Sequence, residues 1–489
     1  MILNILLIAV VVLFFLAAFV LLRTLTFARP FTGAEPVVLD EVEPAVIAEH
    51  LASVIKCETV SLVDDNPAAR RPFYELQLRL HEMYPRLHAT LEQQIFNDFS
   101  LLYIWKGKNA DLPPIVFMGH LDVVPAPAEN LEQWEYPPFS GAIADGFVWG
   151  RGTLDVKGQV IGIMESVEAL LKQDYQPERT IYLAFGHDEE IGGKNGAVRI
   201  TRWFAEREIR PGVVLDEGGQ IADGLLPGVA VPVAMVGVAE KGSVVLDLTA
   251  ETEPGHSAFP PKQSTIGILS QALAFLEHEQ MPAHMNAVRP LFRGVAAAMP
   301  FMQQLALANM WLLGGSVKKR LEANPSSNAI IRTTTAPTII HAGERPNVMP
   351  GEARAVVNFR ILPGDTIASV CEHVRRVIDD PRVKFEVRSD WTWEASPLSP
   401  TDVTSYEILS RTIQQVFENV PVTPFLVLGA TDARHYRDLC DQVYRFTPLS
   451  MVPEDIHRVH GVNERVSIEA LGKMVQFYIQ LLHCWGADF

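Results

Sequence analysis

Long runs of one charge, clustered cysteines and repeats are all missing from this 489-residue chain, and each absence removes a class of protein. Lys and Arg total 41 against 58 Asp and Glu, a net charge of −17. Nucleic-acid binding needs a basic surface for the phosphates, so that function is excluded as a main activity. The four cysteines, Cys57, Cys371, Cys440 and Cys484, are scattered and form no CxxC pair. A disulfide framework is therefore not expected, and single buried thiols are the reading. Composition is otherwise ordinary, with 48% apolar residues and 20% charged. The length exceeds what one simple core holds and calls for two domains.

One long apolar run is present. Residues 2–22, ILNILLIAVVVLFFLAAFVLL, contain Asn4 as the single polar side chain. About 20 helical residues span a bilayer's hydrocarbon core. No Lys or Arg precedes the run, and it is longer than a usual signal-peptide core. The reading is a single-pass N-terminal anchor over residues 1–23, with a cleaved signal peptide as the alternative. Arg23 and Arg29 follow the span and would favour a cytoplasmic body; the resemblance described below points to the opposite side, so the side is left open.

Residues 24–40 read as a linker. From about 41 to 238, apolar β-rich runs such as LLYIW, IVFMGH, TIYLAFG and VVLD alternate with helical periodicity in VIAEHLASVIK, GQVIGIMESVEALLKQ and AVRITRWFAERE. That alternation predicts an α/β layer with a mixed, largely parallel sheet flanked by helices. Over 239–360 the texture changes to antiparallel-type alternation, as in VGVAEKGSVVLDLTAET, and predicts a smaller α+β domain inserted into the first. Residues 361–489 resume the first domain. Within the insertion, 296–315 is strongly apolar and reads as a buried helix, an acyl-chain wall or a membrane-facing patch.

Acidic and histidine residues gather where apolar runs end. His120 and Asp122 follow PPIVFMG, Asp155 sits in GRGTLDVKG, Glu189 and Glu190 follow TIYLAFGHD, Asp216 ends GVVL, and His460 lies in DIHRVHG. Functional groups of parallel sheets collect beyond the strands' carboxyl ends. Singly, each is an ordinary cap or turn residue. Together they supply oxygen and imidazole ligands for two divalent cations. Glu189 and Glu190 would repel each other if both were buried and ionised, and a nearby dication removes that cost. One of them can then bind metal while its neighbour takes a proton from the attacking water.

Nine segments carry a resemblance: GHLDVVP (119–125), WEYPPFSG (134–141), GRGTLDVKG (150–158), GHDEEIGG (186–193), VLDEGG (214–219), PGHSAFP (254–260), NVMPGEARAVVNFRILPGD (347–365), GATDARHY (429–436) and HGVNER (460–465). They resemble the zinc metallopeptidase family that includes aminoacylase, carboxypeptidase S, acetylornithine deacetylase and the secreted N-fatty-acyl-amino-acid hydrolases, with the closest look to the carboxypeptidase S and fatty-acyl branch. The resemblance implies that Asp155 bridges two zinc ions. It implies His120 and Asp216 on one metal, and Glu190 and His460 on the other. Glu189 is implied as general acid/base, with Asp122 orienting His120. A cis peptide is implied at Asp155–Val156. His256, Asn347 and Arg360 are implied to hold the scissile carbonyl or the substrate carboxylate, and Gly429 and Thr431 to line a substrate-facing loop, with Asp432 and Arg434 as braces. In dimeric members the inserted domain pairs edge to edge; the apolar 296–315 stretch leaves the oligomeric state open here.

The expected activity is hydrolysis of the amide of an N-acyl amino acid or small peptide with a free carboxylate, using two Zn²⁺, or Co²⁺ or Mn²⁺ in their place. Two other readings remain: a non-catalytic binding protein on the same fold, and a two-metal phosphoesterase.

Overall fold

The computed structural model describes residues 2–28, 32–61, 66–285 and 288–487; Arg29 lies outside them. A large mixed sheet runs through strands Glu92–Phe96, Ser100–Trp105, Ile181–Gly186, Ile115–His120, Val213–Asp216, Val443–Arg445, Val233–Glu240, Ile221–Ala222 and Ser450–Met451. Val422–Val427 pairs beside Val233–Glu240. The central pairings, Ile181–Gly186 with Ile115–His120 and Ile115–His120 with Val213–Asp216, are parallel. Alternate residues of IVFMGH serve opposite faces, as the two-residue strand period requires. Ile115 and Phe117 join the core built with helices Pro44–Ile55, Lys157–Lys172, Thr404–Val416 and Ile468–Gly486. Val116 and Met118 join a second layer with Ile200, Phe204, Ala433 and Tyr436. Both faces are covered, which is why these strands read as unbroken apolar runs.

The segment VGVAEKGSVVLDLTAET forms two strands rather than one. Val233–Glu240 lies in the large sheet, and Gly242–Glu251 opens a separate four-stranded sheet. Gly242 makes the crossing possible, because a Cβ there would stand 2.4 Å from the Ala395 backbone nitrogen. The second sheet orders Thr334–Ala342, Glu352–Ile361, Gly242–Glu251 and Val383–Val387, all antiparallel. Helices Thr265–His278 and Ile367–Ile378 cover one face, burying Leu269, Leu276, Val370 and Val374 against Val244, Leu246, Val357 and Phe359. Thr366 caps the second helix with a reciprocal bond to Ser369. The insertion therefore runs past the expected boundary at 360, through Val387, because its last strand pairs with its first. Ser396 then returns to Glu240 through its backbone N–H, 3.1 Å from the carbonyl.

Asn328–Ile331 end the helix Pro325–Ile331, capped by Asn324. It closes a helical run formed by Arg289–Val295, Phe301–Ala308, Met310–Glu322 and Pro325–Ile331. The N-terminal helix Ile2–Phe27 extends four residues beyond the expected anchor and is long and apolar enough to cross a membrane.

Candidate metal centre

Three neighbouring strand ends and two loops converge on one pocket. His120 ends strand Ile115–His120, and Glu189 and Glu190 occupy a short turn just after Ile181–Gly186. These strands run side by side, with His120 opposite Gly186. Asp155 precedes helix Lys157–Lys172, and the peptide Asp155–Val156 is cis, as the resemblance implies. His460 sits on a loop with φ of 59°, a left-handed turn that aims its ring inward.

Asp155 is the hub. Its Oδ1 lies 2.9 Å from His120 Nε2, and its Oδ2 lies 2.9 Å from His460 Nε2. Glu190 Oε1 stands 3.3 Å from the same His460 nitrogen. That oxygen is buried and accepts no well-formed hydrogen bond, so the two groups face each other as side-by-side donors rather than as a bonded pair. His120, Asp155 and Glu190 present ligand atoms within 4.8 Å of one another, and so do His120, Glu189 and Glu217.

Glu217 is the residue that sequence reasoning missed. Its Oε1 lies 3.3 Å from His120 Nε2. Asp216, expected as the ligand, is turned away: its Oδ1 accepts the Glu217 N–H at 2.9 Å and its Oδ2 the Ala433 N–H at 2.8 Å. The strand ends at Asp216, and the next side chain points into the pocket. The adjacent acids of VLDEGG were the available signal, but only the strand's end decides which one faces His120.

Asp122 holds the arrangement from behind. Its carboxylate accepts the N–H groups of Glu189 and Glu190, both at 3.2 Å, and the Ser61 hydroxyl at 2.7 Å. Its backbone carbonyl lies 2.9 Å from His120 Nδ1. Burial works against its ionisation, but His120, Ser61 and the Glu190 N–H together hold its pKa below the ordinary value. Glu464, also missed, anchors the Asp155 loop. One carboxylate oxygen accepts the N–H groups of Gly152 and Leu154 at 3.0 and 2.8 Å, and the other meets Arg151 Nη1 at 2.5 Å. Asn-Glu-Arg in HGVNER was its only mark.

The electrostatics call for cations. Burial drives the Glu189 pKa well above its ordinary value, with Asp432, Glu217 and Glu190 adding to the rise against an opposing effect of His120. Burial likewise pushes Glu217 up to about 8. Buried carboxylates this crowded cannot all ionise with only histidines opposite them, whereas divalent cations would neutralise them. Oxygen and imidazole donors suit zinc, cobalt or manganese.

The other expected residues fall differently. His256 and Asn347 are neighbours on the insertion: Gly255–His256 pairs with Val348–Met349, and Ser257 donates to the Asn347 carbonyl at 3.2 Å. Both are exposed, and neither makes a described contact with the carboxylates. Arg360 is partly buried on Glu352–Ile361; burial and then the charge of Arg434 lower its pKa. Arg434 stands 3.9 Å from Glu189. Gly429 is exposed with open space around it. Thr431 is buried, and its N–H and hydroxyl both donate to Glu240 Oε2, at 2.7 and 3.2 Å. Arg445 pairs with the other Glu240 oxygen at 2.9 Å, so this buried set braces the loop.

A cavity of about 220 Å³ opens beside His460, walled by Val124, Pro125, Trp134 and Val462. A larger cleft of about 600 Å³ on the four-stranded sheet is lined by ion-paired Glu, Lys and Arg and by none of the cluster.

Residues 116–483 match the model of peptidase family M20/M25/M40. The chain belongs to that family. Members of this metallopeptidase family include two similar relatives. The chain is 40% identical over 485 residues to the N-fatty-acyl-amino acid synthase/hydrolase PM20D1 of Xenopus tropicalis, covering 97% of this chain and 93% of that one. It is 30% identical over 468 residues to carboxypeptidase S of Saccharomyces cerevisiae, covering 86% and 80%. Among solved structures, an M20 family metallo-carboxypeptidase from Sulfolobus solfataricus superposes with a TM-score of 0.63 at 15% identity, over 91% of this chain and all of that one. Human carnosine dipeptidase 1 gives 0.62 at 17%, over 90% and 96%. These last two establish the fold.

Proposed function

We propose that the chain hydrolyses the amide bond of N-acyl amino acids or small peptides that carry a free carboxylate. The observation that carries this reading is Asp155, whose two oxygens face His120 on one side and His460 on the other. A carboxylate so placed joins two ligand groups: His120 with Glu217, and His460 with Glu190. Two divalent cations, read here as zinc, would bind between these groups and supply Lewis acidity toward a carbonyl oxygen and toward water. The relative named N-fatty-acyl-amino acid synthase/hydrolase and a neighbour described as a dinuclear metal-binding peptidase of Bacillus subtilis support the reading.

Glu189 acts as the general base. It neighbours Glu190 in sequence but, unlike Asp155 and Glu190, does not face His460, so its carboxylate is left to take and return a proton. It removes the proton from the attacking water and delivers it to the leaving amine. Asp122 fixes the Glu189–Glu190 turn through both N–H groups, so the base holds its position while its charge changes. Arg360 anchors the substrate carboxylate by a bidentate contact, with Arg434 beside it adding positive potential. The cavity walled by Val124, Pro125 and Trp134 receives the acyl group. His256 and Asn347 reach the substrate from the insertion when that domain closes over the pocket. The helix Ile2–Phe27 is read as a retained membrane anchor, because its last turns bond to the folded body.

The test is a substrate panel on the full chain supplied with zinc: N-acyl amino acids of graded acyl length, dipeptides and a phosphodiester. Release of free amino acid, lost on chelation and restored by metal, is expected. Cleavage of the phosphodiester alone, or turnover of none with two metals bound, overturns the proposal.

A further inference from the structure

The anchor helix is not a free tail. Arg23 donates from Nε and Nη2 to the Ala308 carbonyl, at 3.4 and 3.3 Å. Asn309 Nδ2 donates to the Val20 carbonyl and to Thr24 Oγ1, each at 3.2 Å. Thr24 and Asn309 are both fully buried by this contact. Phe19 meets Trp311 edge-on with ring centroids 6.1 Å apart, and Phe27 packs on Val288, Phe292 and Ile331. The partner of the anchor is thus the helical pair Phe301–Ala308 and Met310–Glu322, joined at Asn309.

Depth follows from this register. The apolar run ends at Leu22 and Arg23, so the contacted turn, Phe19–Thr24, lies where the span leaves the hydrocarbon. Side chains touching that turn are held at the bilayer interface. Trp311 is one of them, and the two helices that carry the contact leave apolar side chains uncovered: Phe301 is 46% exposed, Met302 70%, Trp311 54% and Leu312 51%. The charge pattern agrees. In a chain of net charge −17, residues 280–321 contain no Asp or Glu, yet carry Arg289, Arg293, Lys318, Lys319 and Arg320. Aromatic and basic residues together are what a leaflet's boundary layer and anionic headgroups accept.

We propose that the Phe301–Glu322 hairpin is a second membrane contact, with Phe301, Met302, Trp311 and Leu312 seated in the interfacial layer of the leaflet beside the anchor. The bilayer is the occupant because the patch is continuous with the span itself. The hairpin then fixes the tilt of the enzyme body on the membrane surface. This rests on the reading of Ile2–Phe27 as a retained anchor.

The full chain is reconstituted in vesicles of phosphatidylcholine and phosphatidylglycerol whose acyl chains are brominated near the headgroup. The anchor contains no Trp, so bromine quenching reports the body alone. Wild type should lose a fraction of its Trp emission in brominated vesicles, and Trp311→Phe should lose little or none. Met302→Glu with Leu312→Glu should at least halve the Trp311 quenching while leaving flotation and turnover of a water-soluble substrate unchanged. Carbonate-resistant flotation tests the anchor separately. A chain that floats but shows equal quenching with and without Trp311 rejects the hairpin contact and keeps the anchor. A Trp311 shielded from bromine by a second copy, detected by cross-linking, rejects it too. A chain that fails to float overturns both.

Discussion

At the residue scale the pocket separates two adjacent acids twice. On the proposed reading Glu189 and Glu190 divide between base and ligand, and Asp216, bonded to two backbone N–H groups, leaves the ligand role to Glu217. Glu189→Gln should keep both metals and lose about 10²-fold or more in kcat, the usual cost of removing a general base; near-normal turnover with two metals bound would reject the role. Glu217→Gln should weaken one metal equivalent, measured by metal stoichiometry after dialysis. Asp216→Asn should leave stoichiometry near wild type and act on stability, since its oxygens serve Glu217 and Ala433 N–H groups. If the two variants swap phenotypes, Asp216 is the ligand after all. This is also where the sequence stopped being readable. His120, Asp155 and His460, which the structure brings together, were legible because each is the lone acid or histidine near a glycine or strand end. In VLDEGG two acids compete, and a side chain's direction at a strand's last residue depends on where pairing ends. The bond from Thr431 to Glu240 was not legible for a related reason: the two lie 191 residues apart in sequence, and no local pattern announces a buried acceptor.

At the scale of elements, the loop 150–156 is held by a carboxylate from a different part of the chain. Glu464 satisfies the N–H groups of Gly152 and Leu154 and pairs with Arg151 while fully buried. Removing one partner of a buried ion pair leaves the other uncompensated, typically about 3–5 kcal/mol. Glu464→Ala should therefore lower the thermal midpoint sharply. Glu464→Gln retains an acceptor for the loop and should keep the fold while weakening metal binding about 10–100-fold, as outer partners of ligands generally do. A Gln variant with wild-type metal affinity would show that the loop is positioned without the charge. The strands and helices of the first domain were legible from periodicity, because both faces of its central sheet are covered. The end of the insertion was not. Val383–Val387 belongs to the second sheet only through pairing with Gly242–Glu251, a contact across more than a hundred residues that leaves no trace in local hydropathy.

For the whole molecule, the metals and the pH dependence of stability are one problem. Without cations, burial raises the Glu189 and Glu217 pKa values, Glu217 to about 8. The carboxylates of Asp155 and Glu190 beside its ring raise His460 to about 10, against partial desolvation. A folded-state pKa above the unfolded value means the folded protein binds more protons, so stability is present below the unfolded pKa and lost as pH rises through the folded one. For Glu217 that loss runs from about pH 4.3 to about 8, and for His460 from about 6.5 to about 10. Asp155, held low by His120 and His460 against burial, acts oppositely and only at acid pH. The metal-free protein should thus lose stability steadily from about pH 5 to pH 8. Bound cations replace those protons and should flatten the slope, because ligands bind metal deprotonated. The gain in thermal midpoint on adding zinc to chelated protein should therefore grow across that interval, in calorimetry at several pH values. A gain that is constant or shrinks with pH would mean that the carboxylates around Asp155 are not where the cations go.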